Sequence, residues 1–140
     1  MSCNSARCIL TPRIDDGDER LCWCTVAICG PPGGGKTTLS HALLSVVHTD
    51  DFMHLSWEEA PHAILEELRQ DRTRSVEGVQ VARVLRYMAR EGDPFRFDAY
   101  LWVERGPGPS TPRQRGMAKT IRGIWEEALE LLGVEETRLT

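Results

Sequence analysis

The segment that most constrains the fold is residues 30–38, which read Gly-Pro-Pro-Gly-Gly-Gly-Lys-Thr-Thr. They match the phosphate-binding pattern G-x-x-x-x-G-K-[ST]. Ahead of the pattern, residues 21–29 are apolar and partly β-branched, which is typical of a buried strand. Behind it, apolar side chains recur at helical spacing, and these are Leu39, Ala42, Leu43, Val46 and Val47. The sequence therefore predicts strand, glycine loop and helix, the context that the motif requires.

The residue types of this loop suit the binding of a nucleotide. Glycines permit positive φ angles, so successive N–H groups turn inward and form a nest for an anion. The helix N-terminus behind the loop favours the same anion. Lys36 would add a point charge for the β- and γ-phosphates, and Thr37 would offer a hydroxyl to Mg²⁺. The expected nucleotide-binding residues are Gly30, Gly33, Gly34, Gly35, Lys36, Thr37 and Thr38. The alternative is a glycine- and proline-rich turn that binds nothing.

Length and charge restrict the class of protein. The chain has 140 residues, 41% of them hydrophobic, which indicates one globular domain with a real core. Its formal charge of −4 argues against general nucleic-acid binding. We expect no membrane span, because no run of about 18 apolar residues occurs. The N-terminus also lacks the apolar segment of a signal peptide.

The first 29 residues contain all five cysteines, which are Cys3, Cys8, Cys22, Cys24 and Cys29. No histidine and cysteine set with zinc spacing follows them, so we expect reduced thiols in a cytoplasmic protein rather than a metal site. Residues 1–20 are polar and acidic, and we interpret them as a loosely ordered arm ahead of a single domain over residues 21–140.

A second candidate for chemistry is the pair Asp50 and Asp51. Residues 46–48 read as a short strand, and the two acids follow it directly. In open parallel sheets, ligands bind where strands end, and a carboxylate there can accept a proton from a hydroxyl or hold a Mg²⁺-bound water. A polar turn, or a cap for the next helix, is an equally good interpretation of both residues.

The next helix begins with a recognisable cap. Ser56, followed three residues later by Glu59, predicts a capping box. One apolar stripe follows, formed by Trp57, Ala60, Ile64, Leu65 and Leu68. Trp57 could line a substrate pocket, but its position in the stripe favours a core or edge aromatic.

Glu77 is the third acidic candidate. Residues 71–76 are polar for a central strand, so the sequence does not decide whether they join a sheet. A helix follows, with Val81, Val84, Leu85 and Met88 at helical spacing, and Gly92 and Pro94 predict its end. A strand ending at Glu77 would place that carboxylate beside the phosphate loop. The alternative is an acidic residue favoured by a helix N-terminus.

The last third of the chain combines a good strand, a long loop and a helix. Residues 98–104 predict the strand, and residues 105–116 predict a glycine- and proline-rich loop that carries Arg113 and Arg115. A mobile segment with arginines suits closure over a transferring phosphate, although a flexible surface connection explains it too. The helix is expected over residues 117–132, and a short strand is possible after residue 134. Lys119 and Arg122 would then oppose the dipole of its first turns, which favours a functional role.

Together these stretches resemble the small P-loop kinases of the uridine-kinase and nucleoside/nucleotide-kinase group, especially short, often phage-encoded members. The resemblance spans about residues 21–133 and rests on four segments: residues 30–37, 49–53, 76–78 and 113–122.

The resemblance implies roles for individual residues. Asp50 would be the general base beside the phosphate-accepting hydroxyl, and Asp51 its neighbour or a ligand of a metal-bound water. Glu77 would act near Mg²⁺ or substrate. Lid cations that steady the phosphoryl group would be found among Arg113, Arg115, Lys119 and Arg122. The cofactors would be ATP and Mg²⁺, and the partner a nucleoside-like or nucleotide-like phosphate acceptor.

The alternation of strand and helix patterns by itself predicts a three-layer α/β sandwich with a mostly parallel sheet of four or five strands. Two functions are consistent with the site. The first is a kinase that transfers the γ-phosphoryl group of Mg-ATP to a small hydroxyl- or phosphate-bearing acceptor. The second is a nucleotide-binding switch, or a degenerate module that binds without transfer.

Overall fold

The computed structural model describes residues 25–36, 45–72 and 74–139. Within these residues lies a five-stranded sheet with strands β1 (Val26–Cys29), β2 (Val46–His48), β3 (Ser75–Glu77), β4 (Ala99–Val103) and β5 (Thr137–Leu139). Their order across the sheet is β2-β3-β1-β4-β5. Every neighbouring pair is parallel. The predicted α/β class and parallel sheet are therefore confirmed.

Three helices connect these strands: α1 (Glu59–Gln70), α2 (Val81–Glu91) and α3 (Pro112–Leu132). Each links one strand to the next, from β2 to β5, as parallel strands require. The arrangement is compatible with a three-layer sandwich. None of the three helices in this described part has the length and apolar character needed to cross a bilayer.

The central strands read as continuous apolar runs because both of their faces are buried. All residues of β1 and β4 are buried. One face of the sheet packs into the main core with the three helices, through Ala27, Cys29 and Trp102 among others. The other face forms a second cluster, made of Val26, Ile28, Ala99, Leu101 and Val103. The sheet therefore buries apolar side chains on both faces.

Strand β3 lies inside the sheet although its sequence is polar. Its residues pair with β1 on one side and with β2 on the other. The polar atoms are satisfied within the sheet, since the Ser75 hydroxyl accepts a hydrogen bond of 2.9 Å from the Val26 N–H. Burial of a polar group is tolerated where such a partner exists.

The predicted helix α1 has the cap that its sequence indicates. The Glu59 N–H donates to the Ser56 hydroxyl at 3.1 Å, and the Ser56 N–H donates to the Glu59 carboxylate at 3.3 Å. This reciprocal pair is a capping box, and the prediction is confirmed. The predicted end of α2 is also confirmed, because Gly92 takes a left-handed conformation with φ 72°.

Two boundary predictions are wrong. Val46 and Val47 do not continue the helix predicted behind the loop, and the short strand predicted for residues 46–48 is confirmed as β2. Helix α3 begins at Pro112 rather than at residue 117, since the Thr111 hydroxyl accepts a hydrogen bond of 3.1 Å from the Gln114 N–H and caps it there. The predicted strand residues 21–24, the predicted helix residues 39–44 and the N-terminal arm lie outside the described residues.

Candidate functional site

Residues 30–36, the described part of the segment that matches the phosphate-binding pattern and is here termed the phosphate loop, fold back at the end of β1. Gly33 and Gly35 have φ angles of 76° and 92°, which only glycine adopts readily. The Gly34 N–H donates to the Pro31 carbonyl at 3.0 Å. The Lys36 ammonium donates to the same carbonyl oxygen at 2.8 Å, so the lysine side chain spans the loop.

A second backbone segment, which follows β4, fixes the shape of this loop. The N–H groups of Arg105 and Gly106 donate to the Gly34 carbonyl at 2.8 and 3.0 Å, and the Gly108 N–H donates to the Gly33 carbonyl at 2.9 Å. The approach is close: a Cβ atom added at Gly34 would lie 2.5 Å from the Val103 carbonyl oxygen. Part of the predicted mobile loop is therefore anchored to the phosphate loop.

Lys36 is buried near two carboxylates. Burial lowers the pKa of its ammonium, while the nearby charges of Glu77 and Asp50 favour the protonated form. Cys29 lies close by, and burial raises the pKa of its thiol to about 12, so it is a neutral side chain in the core. Of these two neighbours the lysine carries the charge, and the cysteine takes no ionic part.

A cavity of about 510 Å³ opens beside the loop. Four charged side chains from separate segments line it: Lys36 from the phosphate loop, Asp50 from the turn after β2, Glu77 from the end of β3, and Arg113 from the first turn of α3. Since the strands are parallel, their carboxyl ends meet at one edge of the sheet. The cavity thus brings two cations and two carboxylates from four segments of the chain into one space.

Glu77 has an unexpected partner. Its carboxylate oxygen Oε2 lies 2.7 Å from Nδ1 of His48, and the two residues are in register on β3 and β2. Glu77 is only 3% exposed. Three residues separate it from the start of α2 at Val81, so the alternative of an acidic residue at a helix N-terminus is wrong.

Part of the cavity wall is apolar. Phe52, Met53 and Met117 line it together with Trp57. Trp57 is 57% exposed and lines the cavity, so it does not belong to the core. The Arg83 guanidinium lies 4.2 Å from the centroid of its ring, a cation–π contact that orients the indole.

Two polar groups near this wall have no hydrogen-bond partner in the described part of the chain. They are the buried Oε1 of Gln80, a residue that lines the cavity, and the buried Nη1 of Arg83. Such atoms are commonly satisfied by water or by a bound ligand.

The structure brings together only some of the predicted site residues. Gly33, Lys36, Asp50, Glu77 and Arg113 line the cavity. Asp51 and Arg115 are exposed and do not line it. Gly30, Gly34 and Gly35 lie in the loop but not on the cavity wall. Thr37 and Thr38 lie outside the described residues.

The helix-dipole argument for a functional role of Lys119 and Arg122 is wrong. With α3 starting at Pro112, both lie beyond the first turn, so neither opposes the helix dipole at its end. Arg122 is held by Glu126 at 2.9 Å and by Glu136, and its guanidinium also stacks over Trp102. It ties α3 to β4 and to the segment that precedes β5.

Sequence reasoning missed His48, Gln80, Arg83 and Met117. His48 depends on the register of β2 against β3, which no local pattern reveals. Gln80 and Met117 depend on which face of a helix or turn meets the cavity, and Arg83 depends on its contact with Trp57. Arg113 was assigned to a loop, although Thr111 with Gln114 matches the capping-box pattern and could have placed it in a helix.

The donor set bears on the predicted metal. Among the described residues, no group of three or more histidine, cysteine or acidic side chains is placed to hold an ion. Mg²⁺ at nucleotide sites commonly uses one or two carboxylates together with the phosphates. Glu77 in the cavity fits that donor set, and Asp51 does not lie on the cavity wall.

Comparison of the chain with protein families, with curated proteins and with solved structures gives no match.

Proposed function

We propose that this protein is a P-loop kinase that transfers the γ-phosphoryl group of Mg-ATP to a small acceptor. The observation that carries the proposal is the meeting of Lys36, Asp50, Glu77 and Arg113 in one cavity beside a glycine loop. Phosphoryl transfer depends mainly on positioning and on charge stabilisation, and this arrangement supplies both. The strand order supports the proposal. The chain leaves β1 toward β2 on one side of the sheet and leaves β3 toward β4 on the other, and ligands of open parallel sheets bind where the connections part in this way.

In this proposal the charges divide into two roles. The loop amides and Lys36 bind the phosphates, with the ammonium exchanging its Pro31 carbonyl for phosphate oxygens. Arg113 stabilises negative charge on the transferring group. Glu77, with Thr37, would hold Mg²⁺, which neutralises phosphate charge when it is bound with the nucleotide.

Asp50 acts on the acceptor. Its carboxylate accepts the proton of the acceptor hydroxyl as that oxygen bonds to the γ-phosphorus. The bond from the γ-phosphorus to the bridging oxygen breaks, and ADP leaves with that oxygen. Asp50 is exposed and lies on the cavity wall, so an acceptor can reach it.

The apolar wall supports an acceptor with a flat, weakly polar part. Trp57, oriented by Arg83, offers a ring face, and Phe52 with the two methionines offers adaptable apolar contact. A nucleoside-like or nucleotide-like acceptor matches such a wall.

A second candidate is a module that binds nucleotide without transferring phosphate. The specific observation in its favour is the anchored loop, in which the segment after β4 and the Lys36 ammonium occupy the carbonyls of Pro31, Gly33 and Gly34. A loop held in this way suits retention of a ligand as well as turnover.

The test uses the two lysines of the chain. The protein is incubated with Mg-ATP and a panel of nucleosides, nucleoside monophosphates and nucleotide sugars, and mass spectrometry detects products heavier by one phosphoryl group. We expect product with the wild type and with Lys119→Met. The rate of product formation should fall at least about 100-fold in Lys36→Met, as it does in other enzymes when one charge-stabilising group is removed. Nucleotide binding without product from any acceptor would favour the second candidate. Equal rates for both lysine variants would contradict the assignment of Lys36.

A further inference from the structure

The last residues of two neighbouring strands form a pair that the proposed roles do not use. His48 ends β2 and Glu77 ends β3, and the two are directly in register. The imidazole Nδ1 lies 2.7 Å from Oε2 of the carboxylate. Such a short contact to a carboxylate is a charge-assisted hydrogen bond with Nδ1–H as the donor.

Glu77 depends on this bond. Its side chain is 3% exposed, and a buried carboxylate is costly unless it accepts hydrogen bonds. Within the described residues His48 is the hydrogen-bond partner of this carboxylate. Glu77 also lines the cavity, so a ligand there would meet its carboxylate through Oε1 while the imidazole holds Oε2.

We propose that His48 is a positioning residue, which fixes the Glu77 carboxylate so that Oε1 faces the bound nucleotide and its metal. The inference rests on the proposed function. His48 does not line the cavity itself, and its side chain is 38% exposed, so it acts through Glu77 rather than on a substrate. Carboxylates at metal–nucleotide sites are commonly held by such a second hydrogen bond.

The group that positions Glu77 is the N–H donor at Nδ1 of His48. Variants that keep, displace or remove this donor therefore form a matched set. Asn places an amide N–H close to the position of Nδ1, whereas Leu has a similar volume and no donor. Gln carries the same amide displaced by one bond, about 1.5 Å. His54→Leu is the control, because His54 is exposed on the turn that follows.

We expect His48→Leu to lower the rate of phosphoryl transfer at saturating substrate by about 10- to 100-fold, the usual effect of losing such a partner. His48→Asn should stay within about threefold of the wild type, and His48→Gln should fall between them. In a Glu77→Gln background, His48→Leu should have little further effect, because the two residues act as one unit. Urea unfolding checks that each variant is folded. If His48→Leu does not fold, the rates of His48→Asn and His48→Gln are compared instead.

Binding gives a readout that does not require turnover. The affinity for ADP is measured by calorimetry with and without Mg²⁺. We expect the gain in affinity from Mg²⁺ to shrink in His48→Leu and to persist in His48→Asn and His54→Leu. If the wild type makes no product while this pattern holds, the kinase proposal fails and the role of His48 stands. Three results would overturn the inference. The first is a His48→Leu variant with the wild-type transfer rate and the wild-type gain in ADP affinity from Mg²⁺. The others are a fall in rate for His48→Asn as large as that for His48→Leu, and additive effects of the two substitutions in the double variant.

Discussion

Two buried carboxylates show how differently the same chemical group is used in this protein. Asp93 follows the end of α2, and its side chain is 1% exposed; Glu77 at the end of β3 is 3% exposed. Asp93 accepts hydrogen bonds from the Phe95 N–H at 2.9 Å, from Arg69 at 3.1 Å and from Arg72 at 3.3 Å. Glu77 has His48 on one oxygen, and its side chain lines the cavity.

The difference teaches how to separate a structural acid from a functional one. Burial opposes the charged form of Asp93, but the Phe95 N–H and the two arginines outweigh it and hold the pKa of Asp93 below its usual value. All bonding capacity there is used inside the chain, so the group fastens α1 to the end of α2. Glu77 has one hydrogen-bond partner among the described residues and lines a cavity together with Lys36, which is the property a ligand site needs.

The largest expected effect is on the structural side of this comparison. Asp93→Ala should lower the free energy of unfolding by about 3 kcal/mol, because three hydrogen bonds to a charged group disappear together. Urea denaturation measures the change. Glu91→Ala, at an exposed position two residues earlier, is the control and should change stability by less than about 0.5 kcal/mol. A loss below 1 kcal/mol for Asp93→Ala would mean that the cluster is not a structural anchor.

Glu77→Gln should show the opposite pattern. Its amide oxygen can still accept from His48, so we expect the free energy of unfolding to change by less than about 1 kcal/mol. Phosphoryl transfer should fall about 100-fold, equivalent to about 2.7 kcal/mol in the barrier, because the negative charge in the cavity is lost. Rates are compared per folded molecule. A strongly destabilised variant with normal turnover would reverse the roles assigned to the two acids.

The smallest effect is a dependence of stability on pH. The pKa of Asp93 is lowered on folding, so its contribution is present above the unfolded value of about 3.9 and is lost as pH falls through the folded value. We expect the wild type to lose stability more steeply than Asp93→Ala below pH 4. Parallel curves for the two proteins in urea titrations between pH 2 and 6 would show that the carboxylate is not held as described.

Much of the fold could be predicted from local patterns. The buried strand before the phosphate loop, the capping box at Ser56 and the glycine that ends α2 each depend on neighbouring residues alone. The polar strand β3 could not be assigned, because the partners that satisfy Ser75 and Glu77 come from β1 and β2. Tertiary pairing, rather than composition, makes these residues a strand.

The candidate site divides in the same way. The glycine-rich motif indicates Lys36, and the position of Asp50 and Glu77 at the ends of predicted strands indicates these two acids. All three residues line the cavity. Spacing alone did not separate Asp50 from Asp51, or Arg113 from Arg115, since the choice depends on the direction of a side chain in a turn or a helix. His48 required the register of two strands distant in sequence.

The most direct test of the central claim is a calorimetric titration of the wild type and Lys36→Met with Mg-ATP, with Lys119→Met as the reference. The account predicts saturable binding to the wild type and to Lys119→Met, and at least a tenfold weaker affinity, about 1.4 kcal/mol, for Lys36→Met. Absence of binding to the wild type, or equal affinity of the two lysine variants, would contradict the claim that this loop and cavity form a nucleotide site.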